Sequence, residues 1–333
     1  MNIFCDFYNN FCHQNRNLYH YKTEFLKETT DINEIIDILE KYNIYLHNQL
    51  FHKQLYIEKI NGKLKFYGIK SFANQYIGHI LWINILNDRG LINDFEPIIL
   101  NVKFRNLIKG ISNEDTKYIR KGNSKALGMC YNSLYLEKAF IPYYLTSPSF
   151  ANKNFNLNLR DTINMLINAD KPIKYSKLLF RGSNNNIYRN YLFKHYKNSH
   201  FCDFKSTSNN DISLPQNYID FENYSDYKYI LDIPGIDGHC PRRFYLFLMN
   251  RVLFIPTDDP NKLFFEVWDD PPIPNIHYIP YSMKNLDDFE RKVKILEKND
   301  DIYKRIQKNC YNYAKTHLTF DKIEKYMINI INN

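Results

Sequence analysis

Two short runs in this 333-residue chain combine cations, glycine and strand-ending positions in a way that suits an anion. One is Arg181-Gly182-Ser183, which follows the apolar run Lys177-Leu178-Leu179-Phe180. The other runs from Pro234 through Gly235, Ile236, Asp237, Gly238, His239, Cys240 and Pro241 to Arg242 and Arg243. It follows the apolar run Tyr229 to Ile233 and precedes a second one, Phe244 to Met249. The order reads as strand, glycine turn, helix start with two arginines, helix. Pro241 suits the first helical position, where its missing N–H costs nothing. Free N–H groups of a first helical turn attract anions. Arginine forks match phosphate oxygens in shape and charge. The chemistry this suits is the holding of a diphosphate without a metal ion.

Each residue also has an ordinary explanation. Arg181 taken alone suits a salt bridge at a strand end, and Arg242 and Arg243 suit a solvated helix face. His239 reads as a turn residue and His277 as a packing residue ahead of a strand. Only the joint arrangement favours the anion site. Other motifs are absent from the sequence: no G-x-G-x-x-G, no P-loop, no H-E-x-x-H and no G-x-S-x-G occurs. Asp258-Asp259 and Asp269-Asp270 stand beside prolines and read as solvated loop carboxylates rather than metal ligands.

The elements that must position these residues alternate between strand and helix, which implies parallel sheets with ligands at the carboxyl ends of strands. In the first half, Asp31 to Tyr42 has helical spacing. Leu55 to Ile60, Asn61-Gly62 and Lys63 to Tyr67 form a hairpin pattern with a type I′ turn. Ser71 to Asp88 reads as a helix ended near Gly90, and Pro97 to Val102 as a buried strand. An interdomain region falls between Asn152 and Asp170. In the second half a helix is expected from Ile187 to His195, strands at Phe201 to Phe204 and Val252 to Ile255, and helices at Leu286 to Lys298, Asp300 to His317 and Phe320 to Ile330.

Length suggests two domains of roughly 150 residues each. Hydrophobic residues at 44% and charged residues at 24% are ordinary for a globular chain. The 28 Tyr and 24 Phe follow the bias of an AT-rich genome and are weak support for base stacking. The net charge of +8 comes from scattered Lys and Arg with acidic residues between them, a solvated surface rather than a nucleic-acid face. The six cysteines form no C-x-x-C pair, so neither zinc nor a disulfide framework is expected. No signal peptide and no run of about 20 apolar residues is visible, so a cytoplasmic protein without a membrane span is expected.

Phe180-Arg181-Gly182-Ser183, the glycine turn into Pro241-Arg242, and His277-Tyr278-Ile279-Pro280 with its following helices together resemble glycosyltransferase family 90. The resemblance is clearest from Lys177 to Leu318 and continues weakly through Asp94-Phe95-Glu96 and Ile98 to Lys103. It implies an α/β, GT-B-like fold: two Rossmann-like domains facing across a cleft, with C-terminal helices packing back over both. The domains would be 1–165 on the acceptor side, 166–318 for the nucleotide sugar, and 319–333 returning to the first. It implies an inverting, metal-independent transfer from a nucleotide sugar, usually a UDP-sugar, to a glycan or glycoprotein, with no further cofactor. Arg181, Gly182 and Ser183 match the family's strand-end motif. Arg189 matches its second arginine and Arg242 its helix-start arginine. These, with the backbone of Asp237, Gly238, His239, Cys240 and Pro241, would contact the diphosphate.

The chain departs from that pattern in three places. The family carries an Asp general base just after an Asn-x-Lys/Arg strand end, and Phe104 stands there in Asn101-Val102-Lys103-Phe104-Arg105. The alignment slips, or Asp94 or Glu96 supplies the base, or the protein binds donor without transfer; all three readings stay open. Asn184, Asn185 and Asn186 stand where relatives often carry Arg, Thr or Ser, which bears on donor choice. The secretory signal of many eukaryotic relatives is missing.

Overall fold

A computed structural model describes residues 44–47, 54–69, 83, 86–101, 125–127, 131–132, 166–167, 171–209, 212–219, 221–235, 242–259, 261–262 and 270–332. The chain divides into two compact units: Met1–Leu159 with Ile323–Asn333, and Arg160–Lys322. The expected helix over Asp31 to Tyr42 lies outside the described residues.

The first unit holds a five-stranded sheet of β1 (Ile44–His47), β2 (Gln54–Ile60), β3 (Lys63–Ile69), β4 (Phe95–Asn101) and β5 (Lys125–Leu127), in the order β1-β3-β2-β4-β5. A two-residue strand, β6 (Tyr131–Asn132), follows. β1 pairs with β3 and β4 with β5 in parallel, but β2 runs antiparallel to both β3 and β4. The antiparallel β2–β3 pair is the hairpin that the sequence predicts, so this sheet is mixed rather than parallel throughout. A two-residue turn can only join antiparallel strands, and Asn61-Gly62 is such a turn, with φ of 52° and 75°. The helical residues 86–88 end at Gly90, whose φ is 68°. There the Leu91 and Gly90 N–H groups donate to the Leu86 and Asn87 carbonyls at 2.9 and 2.8 Å, a glycine-closed helix end. The C-terminal helix, Phe320–Asn332, bonds this segment: Arg89 Nη1 donates to both Glu324 carboxylate oxygens at 2.8 Å, and the Asn332 amide engages Asn93 N and Leu91 O.

The second unit is α/β. Its elements in chain order are β7 (Tyr175–Asn184), α1 (Ile187–His195), β8 (Cys202–Asn209), β9 (Ile212–Ser213), β10 (Tyr227–Leu231), α2 (Arg242–Phe247), β11 (Val252–Pro256), β12 (Asn261–Lys262), β13 (Ile279–Tyr281), α3 (Phe289–Glu297) and α4 (Asp300–His317). The six-stranded sheet has the order β13-β11-β10-β7-β8-β9, parallel throughout except for the β8–β9 edge pair. β11 is buried along its whole length, as a parallel strand covered on both faces must be.

One face of the sheet carries Leu178, Phe180, Phe204, Tyr229, Leu231, Val252 and Phe254 in a single apolar cluster with side chains from α1, α3 and α4. The period-two spacing along each strand puts these side chains on one side. Phe289, Val293 and Leu296 supply the buried stripe of α3, and Tyr303, Ile306, Cys310 and Tyr313 that of α4. α4 starts with Asp300 and Asp301 and ends with Lys315 and His317, signs that suit the helix dipole. Burying a Leu or Phe side chain in such a cluster contributes about 1.5–3 kcal/mol.

Candidate functional site

The strand order reverses between β7 and β10. From β7 the chain steps to β8 on one side, and β10 is laid down later on the other. In open α/β sheets the carboxyl ends of two such strands leave a crevice in which ligands bind. Two arginines are gathered at this point. Arg189, from the first turns of α1, donates Nη2 to the Ile233 carbonyl at 3.0 Å and Nη1 to Asn185 Oδ1 at 3.2 Å and to the Ser183 carbonyl at 3.3 Å. Arg242, at the start of α2, donates Nη2 to the same Ile233 carbonyl at 3.0 Å and Nη1 to the Arg181 carbonyl at 2.6 Å. Both guanidinium groups lie over the Phe180 ring, 5.5 Å and 4.7 Å from its centroid. The ring face is electron-rich and attracts cations, an effect of about 0.5–2 kcal/mol each.

Local sequence explains this convergence. Asn186 caps α1: its Oδ1 accepts from Arg189 N at 2.9 Å, and its Nδ2 donates to the Pro234 carbonyl at 3.1 Å. One side chain thus starts the helix that carries Arg189 and ties it to the end of β10. Gly182 leaves room for the stack. A Cβ there would stand 3.0 Å from Phe180 Cζ and 3.4 Å from Arg189 Nη1. Backbone carbonyls accept from both arginines, and Arg242 also lies 3.5 Å from the Asp232 carboxylate through its Nε.

Arg181 is not brought to this pair. The sequence ends the strand at Phe180, but β7 continues to Asn184, because Arg181, Gly182, Ser183 and Asn184 pair with β8 at Lys205, Ser206, Ser208 and Asn209. Within a strand, neighbouring side chains leave on opposite faces, so Arg181 points away from Phe180. Its Nη2 donates to Asp203 Oδ2 at 2.7 Å and its Nη1 to the Asp203 and Phe180 carbonyls. Burial alone raises the Asp203 carboxyl; hydrogen bonds from Arg181 and Tyr227 and the charges of Arg181 and Lys205 outweigh it and hold the group below the usual carboxylate range. Only the Arg181 carbonyl faces the site.

Asp237, Gly238, His239, Cys240 and Pro241 lie outside the described residues, as do Phe104 and the side chain of Glu96. Asp94 is exposed, and its carboxylate accepts the Gly62 N–H at 3.0 Å, closing the β2–β3 turn. Asn185 and Asn186, set apart in the sequence for donor choice, spend hydrogen bonds on Arg189 and on the α1 cap.

Arg243 is buried, with Nε 2.5 Å from Asp232 Oδ2 and Nη2 2.8 Å from Asp259 Oδ2, so it does not share the outward role read for it beside Arg242. The sequence reading gives Asp232 no role and takes Phe180 only as part of the Phe180-Arg181-Gly182-Ser183 motif, not as a platform for arginines. The signal for Asp232 is a carboxylate inside an otherwise apolar run, which needs a partner to be buried at all.

Elsewhere, Asp258 is not a purely solvated carboxylate: Ser282 Oγ and Met283 N donate to it at 2.6 and 2.8 Å. His277 Nδ1 accepts the Ile273 N–H at 2.8 Å, and its ring packs on Tyr313. Burial first, with the nearby His317, holds His277 below the usual imidazole value against the opposing pull of Asp270. Burial also pushes the Cys202 thiol up to about 12 and the Cys310 thiol higher still, so neither is a thiolate near neutral pH. Among the described residues no group of three or more His, Cys, Asp or Glu is placed to hold a metal ion, and no helix is long and apolar enough to cross a membrane.

Residues 168–333 match the family model described as Glycosyl transferase family 90. No curated protein matches the chain. Among solved structures, the C-terminal domain of a glycosyl transferase group 1 family protein (LpcC) from Francisella tularensis is similar at 8% identity, over 48% of this chain and 93% of that chain, with a TM-score of 0.30.

Proposed function

The chain belongs to glycosyltransferase family 90 through residues 168–333, and on that premise we propose that it moves a sugar from a nucleotide sugar, a UDP-sugar foremost, to a hydroxyl of a glycan or glycoprotein, with inversion and without a metal ion. The observation that carries this reading is the meeting of Arg189 and Arg242 on the Ile233 carbonyl at the β7–β10 switch point. Breaking the bond between sugar and diphosphate builds negative charge on the leaving group. Fixed donors aimed at that charge lower the barrier, and loss of one such donor slows a reaction by about 10²–10³. The guanidinium groups of Arg189 and Arg242 are donors of this kind. The attacking hydroxyl must lose its proton to a general base, which we assign to a carboxylate of the first unit, Glu96 or Asp94.

The experiment is a panel of UDP-, GDP- and dTDP-sugars, read first by melting temperature and then by product. A ligand at about 100 times its Kd stabilises by about 2.7 kcal/mol, so UDP and one UDP-sugar are expected to raise the melting temperature. Turnover is expected to survive a chelator, and the anomeric configuration of the product, read by NMR, to be opposite to that of the donor. No response to any nucleotide class contradicts the reading.

One observation favours a second reading. Asp94 already holds the Gly62 N–H, and a fold that retained the diphosphate site but lost its base would bind donor without transfer. Detection of a glycosylated product excludes that reading.

A further inference from the structure

Asp232 lies just past β10 and is fully buried. Its carboxylate is divided between two consecutive arginines. Oδ2 lies 2.5 Å from Arg243 Nε, and Oδ1 lies 3.5 Å from Arg242 Nε. Arg243 is held at its other end by Asp259, just past β11, at 2.8 Å. The backbone carbonyl of Asp232 accepts from Tyr281 Oη, at the end of β13, at 2.5 Å. The carboxyl ends of β10, β11 and β13 are therefore tied together through this one residue and its partner.

We propose that Asp232 is a positioning residue for Arg242. The proposal rests on the donor reading above and adds to it the means by which the diphosphate-binding arginine is aimed. Consecutive side chains on a helix leave it about 100° apart. Arg243 is clamped at both ends of its guanidinium, so the rotation of α2 about its own axis is fixed, and the direction in which Arg242 leaves the helix is fixed with it. The tight contact goes to Arg243 and the loose one to Arg242. That difference leaves the Nη atoms of Arg242 on the Arg181 and Ile233 carbonyls instead of drawing them into a close ion pair.

The test uses the full-length chain and two probes, UDP and uridine, measured by calorimetry on wild type, Asp232→Asn, Arg242→Ala and the double variant. Asp232→Asn keeps the side-chain size and one acceptor oxygen but removes the charge. UDP affinity is expected to fall about tenfold, while uridine, which carries no phosphate, keeps its affinity. In the Arg242→Ala background the Asp232→Asn change is expected to cost nothing further. Losses that simply add in the double variant, or an equal loss for uridine, overturn the positioning role. Should Asp232→Asn not fold, Asp259→Asn relaxes the far end of Arg243 and carries the same test with an expected loss of about threefold. A crystal structure of either variant decides the point without any ligand: Arg242 withdrawn from the Arg181 carbonyl supports the proposal, and retention of that contact overturns it. A wild-type protein that binds no UDP overturns the donor reading, while the crystal comparison still decides the positioning of Arg242.

Discussion

Phe180 and Gly182, two residues apart on β7, stand so close that a Cβ on Gly182 would meet Phe180 Cζ at 3.0 Å, tighter than ordinary contact. The ring is buried on its other sides by Phe193 and Phe204, with centroids 5.8 and 6.4 Å away, so it has little freedom to retreat. Gly182→Ala must push the ring, the Arg189 guanidinium or the strand. Overpacking of this kind costs about 1–3 kcal/mol. The melting temperature is expected to fall by several degrees and UDP affinity with it, because the displaced ring is the platform under both arginines. Calorimetric unfolding and UDP titration check this; a variant unchanged in both would show that the stack tolerates the methyl group.

Arg242 donates to two carbonyls from two nitrogens, a geometry only a fork can satisfy. Arg242→Ala removes charge and fork together, and UDP affinity is expected to fall about 10- to 100-fold, the range for charged hydrogen bonds. Arg242→Lys keeps the charge but offers its donors from one nitrogen instead of a planar fork, so it should recover only part of the loss. Equal affinities for the Lys variant and wild type would mean that charge alone matters and that the two-carbonyl geometry does not. Unchanged affinity in the Ala variant would remove Arg242 from the site.

The Arg181–Asp203 pair gives a pH dependence with a definite sign. The Asp203 carboxyl is held below its usual value, with burial opposing the hydrogen bonds from Arg181 and Tyr227. A carboxylate lowered on folding stabilises fully above its unfolded pKa, near 3.9, and that stability is lost as pH falls through the lower folded value. The contribution is therefore intact at neutral pH and disappears below about pH 4. Asp203→Asn should be less stable at pH 7 and lose less than wild type on going to pH 3. Denaturant unfolding at both pH values measures it, and parallel losses in the two proteins would contradict the assignment.

The parts of this fold that were legible in the sequence are those set by near neighbours. The helix over Ile187–His195 starts on Asn186 and is bounded as its pattern predicts. The Asn61-Gly62 hairpin needs two positive φ angles and two such residues stand there. The family pattern picks out Arg189 and Arg242, and the structure brings their side chains to one carbonyl. What was not legible depends on distant pairing. Arg181-Gly182-Ser183-Asn184 has little β propensity of its own; it is a strand because β8 pairs with it. A strand that ends at Phe180 offers no alternation to turn Arg181 to the opposite face. The burial of Arg243 likewise depends on Asp232, eleven residues earlier, and on Asp259, which approaches from the end of another strand.

Three variants at Asp94 and Glu96 separate a turn residue from a general base. Asp94 is exposed, and its two carboxylate oxygens lie 3.0 and 3.3 Å from Gly62 N, the amide of a turn whose φ angles already favour it. Asp94→Asn preserves an acceptor oxygen for that N–H but cannot take a proton; Asp94→Ala loses both. If the residue serves the turn, the Asn variant keeps its stability and its turnover, and the Ala variant loses about 0.5–1.5 kcal/mol of stability with turnover little changed. If it serves as the base, the Asn variant folds normally and slows by about 10²–10⁴. The bond to Gly62 favours the first outcome, and Glu96→Gln is then expected to show the slowing instead. Rates and unfolding curves on the three variants distinguish these cases, since a turn residue moves stability and a base moves rate. A slowing in Asp94→Asn at unchanged stability would return the proton to Asp94.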